Sequence, residues 1–222
     1  MHAVPLPSPS LVVAGETLAL LPERAAYWAA RGTLLVADVH VGKAATLRAA
    51  GAPIPGGTTT ADLARLGRAV ERTGATRVVV LGDLFHARAG RRAEPTLAAF
   101  RRWRERHADL DLLLVRGNHD VHAGDPPAEL GIGVVEEPHA EGPFVWRHVP
   151  EPDERGYVVA GHLHPAVALH GAGGERVTLA CFHFGARVGL LPAFGSTTGT
   201  LVVRAARQDR VYVVTDDEVV AV

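Results

Sequence analysis

The sequence predicts an α/β protein with a two-sheet core and helices outside it. Three observations carry this. Over 33–118, short Val- and Leu-rich runs alternate with helix-length stretches. Beyond 140 the pattern changes to short apolar runs separated by Gly, Pro and charged turns. Five apolar runs each end in a cluster bearing His, Asp or Asn. The β-α-β-α-β order of the first half implies parallel strands with right-handed crossovers, and open α/β sheets bind ligands just past the carboxyl ends of such strands.

Segment 1–10 is Pro- and Ser-rich and is expected to lie extended on the surface. Short β segments are predicted near 11–14, 17–21 and 33–37. An alanine-rich helix is predicted over 41–50, ending at Gly51, followed by a Pro/Gly loop over 52–59. The next helix runs over 60–73 with Thr60 as its N-cap, a buried stripe of Leu63, Leu66 and Val70, and Gly74 as terminator. The strand at 77–81 follows, then a helix over 95–107 with Pro95 in its first turn and Leu97, Phe100 and Trp103 inward, then the strand at 112–116. The second half reads as strands at 143–147, 157–160, 166–169, 176–182, 188–191, 200–204 and 210–214. No repeat or long linker divides the chain, and 222 residues are expected to form a single domain over 1–222.

The bulk numbers exclude several classes. A hydrophobic content of 47%, a mean hydropathy of +0.10 and a formal charge of −1 describe a soluble globular protein with no global attraction to nucleic acid or membrane. A single cysteine, Cys181, rules out an intramolecular disulfide. The N-terminus lacks a basic region, its apolar stretch is broken by Gly15 and Glu16, and no run is long enough to span a membrane, so a cytoplasmic location is expected.

The five clusters carry the chemistry. They are Asp38-Val39-His40, Gly82-Asp83, Gly117-Asn118-His119-Asp120, His148, and Gly161-His162-Leu163-His164. A carboxylate and an imidazole two residues apart, just past a strand, can converge on one cation where the chain turns; Asp38 and His40 meet that condition. Asp83 has two oxygens and can bridge two ions. Asn118 offers an amide oxygen, and His148, His162 and His164 offer nitrogens. Mixed N and O donors without thiolate suit Mn, Fe, Zn, Co or Ni better than Ca or Mg. The candidates are too many for one ion. Two ions sharing a carboxylate, roughly 3.5–4 Å apart, stabilise in-line displacement at phosphorus. His119 follows a proposed ligand and points away from its ion, so it is expected to act as a general acid or as a donor to charge developing in the transition state, with Asp120 orienting it through a hydrogen bond.

In this order, D-x-H, G-D, G-N-H-D, H and G-H-x-H over 38–164 resemble the motifs of the calcineurin-like metallophosphoesterases. The resemblance implies a β-sandwich flanked by helices, in αββα layers. It implies Asp38, His40, Asp83 and His164 as ligands of one ion, and Asp83, Asn118, His148 and His162 as ligands of the other. It also implies hydrolysis in which a hydroxide held by Mn, Fe, Zn or Ni attacks phosphorus and His119 assists the leaving group. Asp38-Val39-His40-Val41-Gly42-Lys43, Gly82-Asp83-Leu84-Phe85-His86-Ala87-Arg88, Arg116-Gly117-Asn118-His119-Asp120, Ala160-Gly161-His162-Leu163-His164-Pro165, Cys181-Phe182-His183-Phe184-Gly185 and Leu191-Pro192-Ala193-Phe194-Gly195 are similar to a narrower group, the bacterial DNA ligase-associated metallophosphoesterases. Val41 and Thr198 depart from that pattern without touching a proposed ligand. The narrower resemblance implies a role in DNA repair beside a ligase and a helicase.

The expected activity is therefore that of a dinuclear metal-dependent phosphodiesterase or nuclease acting on DNA, with manganese as the expected metal. The alternatives are a phosphomonoesterase or small-nucleotide phosphodiesterase using the same site, or a non-catalytic interaction scaffold on the same fold. Lys43, the only lysine, and Arg88, Arg91 and Arg92 are candidates for contacts to flanking phosphates, Lys43 and Arg88 first. The run Arg101-Arg102-Trp103-Arg104-Glu105-Arg106 reads either as a solvated helix face around a buried Trp103 or as a DNA-backbone contact. His86 stands near Asp83 as either a supporting or a purely structural residue. His122 and His183 are expected to be structural, His2, His107, His139 and His170 to lie on the surface, and Cys181 to be a buried small hydrophobe.

Overall fold

A computed structural model describes residues 9–171 and 173–222; most of the Pro- and Ser-rich leader, with His2, lies outside the described residues. Seven strands form the first sheet in chain order: β1 (Ser10–Val13), β2 (Glu16–Leu21), β3 (Ala25–Trp28), β4 (Thr33–Val36), β5 (Arg77–Leu81), β6 (Asp111–Val115) and β7 (Ile132–Val135). β1 to β4 pair antiparallel, and β4 to β7 pair parallel, as the alternating pattern requires. The crossovers carry five helices: α1 (Lys43–Ala49), α2 (Thr58–Thr73), α3 (Arg88–Arg92), α4 (Glu94–Arg106) and α5 (Asn118–Ala123).

The second sheet contains β8 (His139–Glu141), β9 (Phe144–Trp146), β10 (Tyr157–Ala160), β11 (Pro165–His170), β12 (Arg176–Phe184), β13 (Val188–Leu190), β14 (Leu201–Val202), β15 (Arg210–Val214) and β16 (Val219–Ala221). Its order is β14-β11-β12-β13-β10-β9-β8, with β15 and β16 added beside β12. Within it β9, β10 and β13 run parallel, and most of the remaining pairs are antiparallel.

The central strands read as unbroken apolar runs because both faces are buried. Leu34, Val36, Val78, Val80, Leu112 and Leu114 face the helices, where they meet Leu63, Leu66, Phe100 and Trp103. Leu35, Ala37, Val79, Leu81 and Val115 face the other sheet and meet Trp28, Phe144, Trp146, Phe182 and Phe184. Trp28 stands edge-on to Phe144 at 5.0 Å and to Trp146 at 5.9 Å, locking the sheets together.

The expected two-sheet core with helices outside is present. The helices pack on one flank: the apolar clusters on the outer face of the second sheet, around Val145 and Val158 and around Cys181 and Val211, contain no helical residue. The layer that the αββα expectation places there is absent among the described residues, because the chain after Leu130 is built of strands.

α2 begins at Thr58 with Gly57 as N-cap rather than at Thr60, since Gly57 supplies the left-handed turn. Its predicted stripe is buried and Gly74 closes it in the left-handed conformation. β3, β7, β8, β16, α3 and α5 are additional to the predicted elements.

Candidate metal centre

All five polar clusters stand at carboxyl ends of parallel strands. Asp38 and His40 follow β4, Asp83 follows β5, and Asn118 and His119 open α5 after β6; these three strands are neighbours. His148 follows β9, and His162 and His164 follow β10, the adjacent strand of the second sheet. Stacking the sheets brings the two carboxyl edges together.

The backbone leaves β4, β5 and β10 in a way that ordinary loops avoid. Asp38, His40, Asp83, His162 and His164 have φ between 49° and 69°, five of the seven non-glycine residues with positive φ among those described. Such strain costs on the order of 1–3 kcal/mol per residue and persists where surrounding bonds impose it. Here the segment after β4 is bonded to the segment after β5: Asp38 N donates to Gly82 O, His40 N to Asp83 O and Val41 N to Leu84 O, at 3.1, 2.9 and 2.7 Å.

The side chains converge as two overlapping sets. Asp38 Oδ1 is 3.2 Å from His164 Nε2, and His40 joins the same group. Asp83 Oδ2 is 3.7 Å from His40 Nε2 and 3.5 Å from His148 Nε2, so one carboxylate oxygen stands between the sets. His148 Nε2 is 2.9 Å from Asn118 Oδ1 and 3.0 Å from His162 Nδ1. All seven predicted ligands therefore come together. Asp38, His40, Asp83 and His148 are buried, His162 and His164 are half-buried and Asn118 is exposed, which leaves one side open to solvent.

His148, Asp38 and Asp83 are each aimed by a backbone partner. His148 Nδ1 faces the Leu81 carbonyl at 3.1 Å and must donate to it, which turns Nε2 and its lone pair inward. Asp38 Oδ2 accepts from the His162 amide at 2.8 Å, and Asp83 Oδ1 from the His119 amide at 2.9 Å. The glycines before the ligands are the cradle. A Cβ at Gly82 would run into the His148 ring, one at Gly117 into Asp83, and one at Gly161 into Asp38 Oδ2.

The donor set fits divalent cations. Asp38 Oδ1 and His40 Nε2 are buried and have no hydrogen-bond partner among the described residues, despite the short approach of His164, which lies outside bonding orientation. Orphaned buried polar atoms are rare in folded proteins and call for a partner. Burial pushes the Asp83 carboxyl above the ordinary aspartate value, opposed by His148 and the His119 amide and reinforced by Asp38. Burial, helped by Lys43 and the neighbouring histidines, drives His40 down to about 2, so its ring is neutral and its nitrogen is available as a donor.

His119 is half-buried beside this group, with Nε2 4.0 Å from Asp83 Oδ2. Its orientation corrects the sequence expectation. Asp120 does not hold it: Asp120 is buried and accepts from the Asp83, Gly117 and Phe85 amides at 2.7, 2.9 and 3.2 Å. As the third residue of α5, it accepts from the Gly117 amide at that helix start and ties it to the β5 loop. Burial pushes its carboxyl up to about 6, against the pull of those amides.

The His119 ring is held by His86, whose carbonyl accepts from Nδ1 at 2.8 Å and whose ring stacks on it at 4.9 Å. His86 Nδ1 is also 3.4 Å from His40 Nδ1, and burial lowers its ring to about 4. Of the two sequence readings, the supporting one describes His86. Its signal was proximity to Asp83; the carbonyl contact had none.

Lys43 is half-buried at the start of α1, where burial lowers its ammonium while Asp38 and Asp83 raise it. Arg88 is exposed at the start of α3. Arg91 is engaged with the Ala123 and Asp125 carbonyls. Arg101 and Arg104 are committed to Glu94, Glu129 and backbone carbonyls around a buried Trp103, the helix-face reading of that run. Cys181 is fully buried, and burial pushes its thiol up to about 12.

Fold and site together define a metal-dependent phosphoester hydrolase. The calcineurin-like phosphoesterase family model matches residues 33–185, and the chain belongs to that family. Among solved structures it is similar to Pseudomonas putida nuclease MPE, with 42% identity and a TM-score of 0.85, covering 96% of this chain and 99% of that one. It also has a distant likeness to Yfce, a phosphoesterase from E. coli, at 15% identity and a TM-score of 0.37, over 81% and 86% of the two chains. No curated protein sequence matches it. None of the described helices is long and apolar enough to cross a membrane.

Proposed function

We propose that the chain is a manganese-dependent DNA phosphodiesterase, a nuclease of DNA repair acting as a single domain over 1–222. The observation that carries the reading is the placement of Asp83 Oδ2 between His40 Nε2 and His148 Nε2, which supports two ions sharing one carboxylate. Asp38, His40, Asp83 and His164 would hold one ion, and Asp83, Asn118, His148 and His162 the other. Bound, the ions would supply Lewis acidity toward the phosphoryl oxygens and acidify water. The likeness to the Pseudomonas putida nuclease supports a nucleic acid substrate.

The chain's own part is positioning and proton transfer. With Nδ1–H donating to the His86 carbonyl, Nε2 is the nitrogen of the His119 ring left to pass a proton to a leaving oxygen. Asp120 keeps the β5 loop and the α5 start in register, so Asp83 and His119 stay together. Lys43, and the exposed Arg88 at the start of α3, would attract phosphates that flank the scissile bond. A cytoplasmic location and partnership with a DNA ligase and a helicase belong to the same proposal, and the partnership rests on the motif resemblance alone.

Rates measured with manganese on oligonucleotides, cyclic nucleotides, bis(p-nitrophenyl) phosphate and phosphomonoesters test the reading. Hydrolysis of oligonucleotides that stops on chelation is expected. A preference for monoesters or cyclic nucleotides, with oligonucleotides left intact, would replace it.

A further inference from the structure

Between β13 and β14 the chain has no regular structure and carries no candidate ligand. It is nevertheless laid along the turn that presents Asp38 and His40. Ala193 pairs with Ala37 in a parallel bridge at the end of β4. Phe194 N donates to Ala37 O at 2.8 Å, and Gly195 N donates to Asp38 O at 3.0 Å. Further along, Leu201 N donates to His164 O at 3.0 Å. The approach is close enough to require glycine at 195, where a Cβ would come within 2.5 Å of Val39 O. The strained turn is therefore held from two sides, by the segment after β5 and by 193–195. Among the described residues, no backbone bond from 193–201 reaches Asn118, His148 or His162.

Charged side chains fix this segment in turn. Asp62, buried on α2, accepts from Ser196 N and from Ser196 Oγ, each at 3.2 Å, and from Arg65 Nη2 at 2.8 Å. Arg65 donates to Phe194 O and lies over the Phe194 ring, 4.5 Å from its centroid. Arg24 Nη1 donates to Ala193 O at 3.3 Å. Burial lowers both guanidiniums, and the Asp62 carboxylate acts against that on each. Asp62 is thus the one group that engages the segment directly and also supports both arginines that engage it. A buried ion pair adds little net stability, because desolvation offsets attraction. Its charge-assisted bonds are short and directional, so geometry is what such a cluster supplies.

We propose that Asp62 is a positioning residue for one of the two ions: it clamps 193–196 against the Asp38–His40 turn and so fixes the site made by Asp38, His40 and His164. The proposal rests on the two-ion reading above. It assigns a role to a helix residue that touches no candidate ligand, and it predicts a selective effect. The ion among Asn118, His148 and His162 lies outside the reach of the clamp.

The test measures manganese affinity by equilibrium dialysis of the apoprotein in two backgrounds. Asn118→Ala leaves the clamped site as the stronger one, and His164→Ala leaves the other. Adding Asp62→Ala is expected to weaken manganese binding by about 10–100-fold in the Asn118→Ala background, the scale for loss of a group that orients a ligand. In the His164→Ala background the affinity should stay unchanged. Gly195→Ala, which displaces the same segment without altering charge, should reproduce this pattern. Melting curves establish that each variant is folded, and Asp62→Asn carries the test where Asp62→Ala does not fold. Equal losses in both backgrounds would make the cluster a general support of the fold and overturn the proposal. Unchanged affinity in both would overturn it as well. These outcomes leave the two-ion reading standing. Wild type that binds a single manganese overturns that reading and the proposal with it.

Discussion

The two sheet edges that meet at the metal centre contribute different chemistry. The first sheet, through the ends of β4, β5 and β6, supplies every candidate oxygen donor, namely Asp38, Asp83 and Asn118, together with His40 and His119. The second, through β9 and β10, supplies only imidazoles: His148, His162 and His164. Each edge also aims the other. A second-sheet amide, His162 N, holds the first-sheet carboxylate of Asp38, and a first-sheet carbonyl, Leu81 O, holds the second-sheet ring of His148. Neither sheet presents a complete donor set by itself. The site is therefore a property of how the sandwich closes, and the aromatic contacts of Trp28 with Phe144 and Trp146 are part of its support.

The most damaging change is expected at the donor shared by both sets. Asp83→Ala should reduce phosphodiester hydrolysis to background and lower bound metal from two ions per chain, by elemental analysis. Retention of both ions would break the bridging assignment.

His119→Ala comes next. It leaves the seven donors in place and should slow oligonucleotide cleavage by about 10²–10⁴-fold with metal content unchanged. The loss should be smaller on a p-nitrophenyl ester, whose leaving group needs no proton. Equal losses on both substrates would assign His119 to binding rather than proton transfer.

Gly161→Ala probes the seam between the sheets, because its Cβ would strike Asp38 Oδ2. A misaimed ligand should lower metal affinity by about 10–100-fold, read by titration of the apoprotein. Gly56→Ala faces open space and should change neither affinity nor stability by a measurable amount.

The two cores supply the gentlest contrast in catalysis. Trp103→Ala, in the helix-side core, and Trp146→Ala, in the inter-sheet core, should each cost about 3–5 kcal/mol in denaturant unfolding. Only Trp146→Ala should also weaken metal binding of the folded protein, since it loosens the closure that joins the edges. Equal metal affinities in the two variants would remove the coupling between sandwich closure and site.

Much of this was legible in the amino-acid order because a buried parallel strand leaves a short, doubly apolar run, and its polar stop is conspicuous. The ends of β4, β5, β6, β9 and β10 were readable for that reason, and so was the gathering of the seven candidate ligands in one place. The short helices α3 and α5 were not, since five or six residues carry too little periodicity. Nor were β7 and β8, whose half-exposed residues dilute the apolar signal. Asp120 misled because sequence proximity to His119 pointed to a side-chain pair, whereas its partners Asp83 N and Phe85 N lie 37 and 35 residues away. The carbonyls of Leu81 and His86 that fix two rings belong to backbone, on which sequence identity leaves no mark. The single helical flank follows from a strand-rich tail that the sequence did display; the missing layer was carried over from the family resemblance.

The most direct test of the central claim is anomalous diffraction from crystals of the protein soaked in manganese. Two peaks are expected at the joined sheet edges, one among Asp38, His40, Asp83 and His164 and one among Asp83, Asn118, His148 and His162, with Asp83 common to both. A single peak, or peaks that leave Asp83 without a metal on either side, would contradict the account.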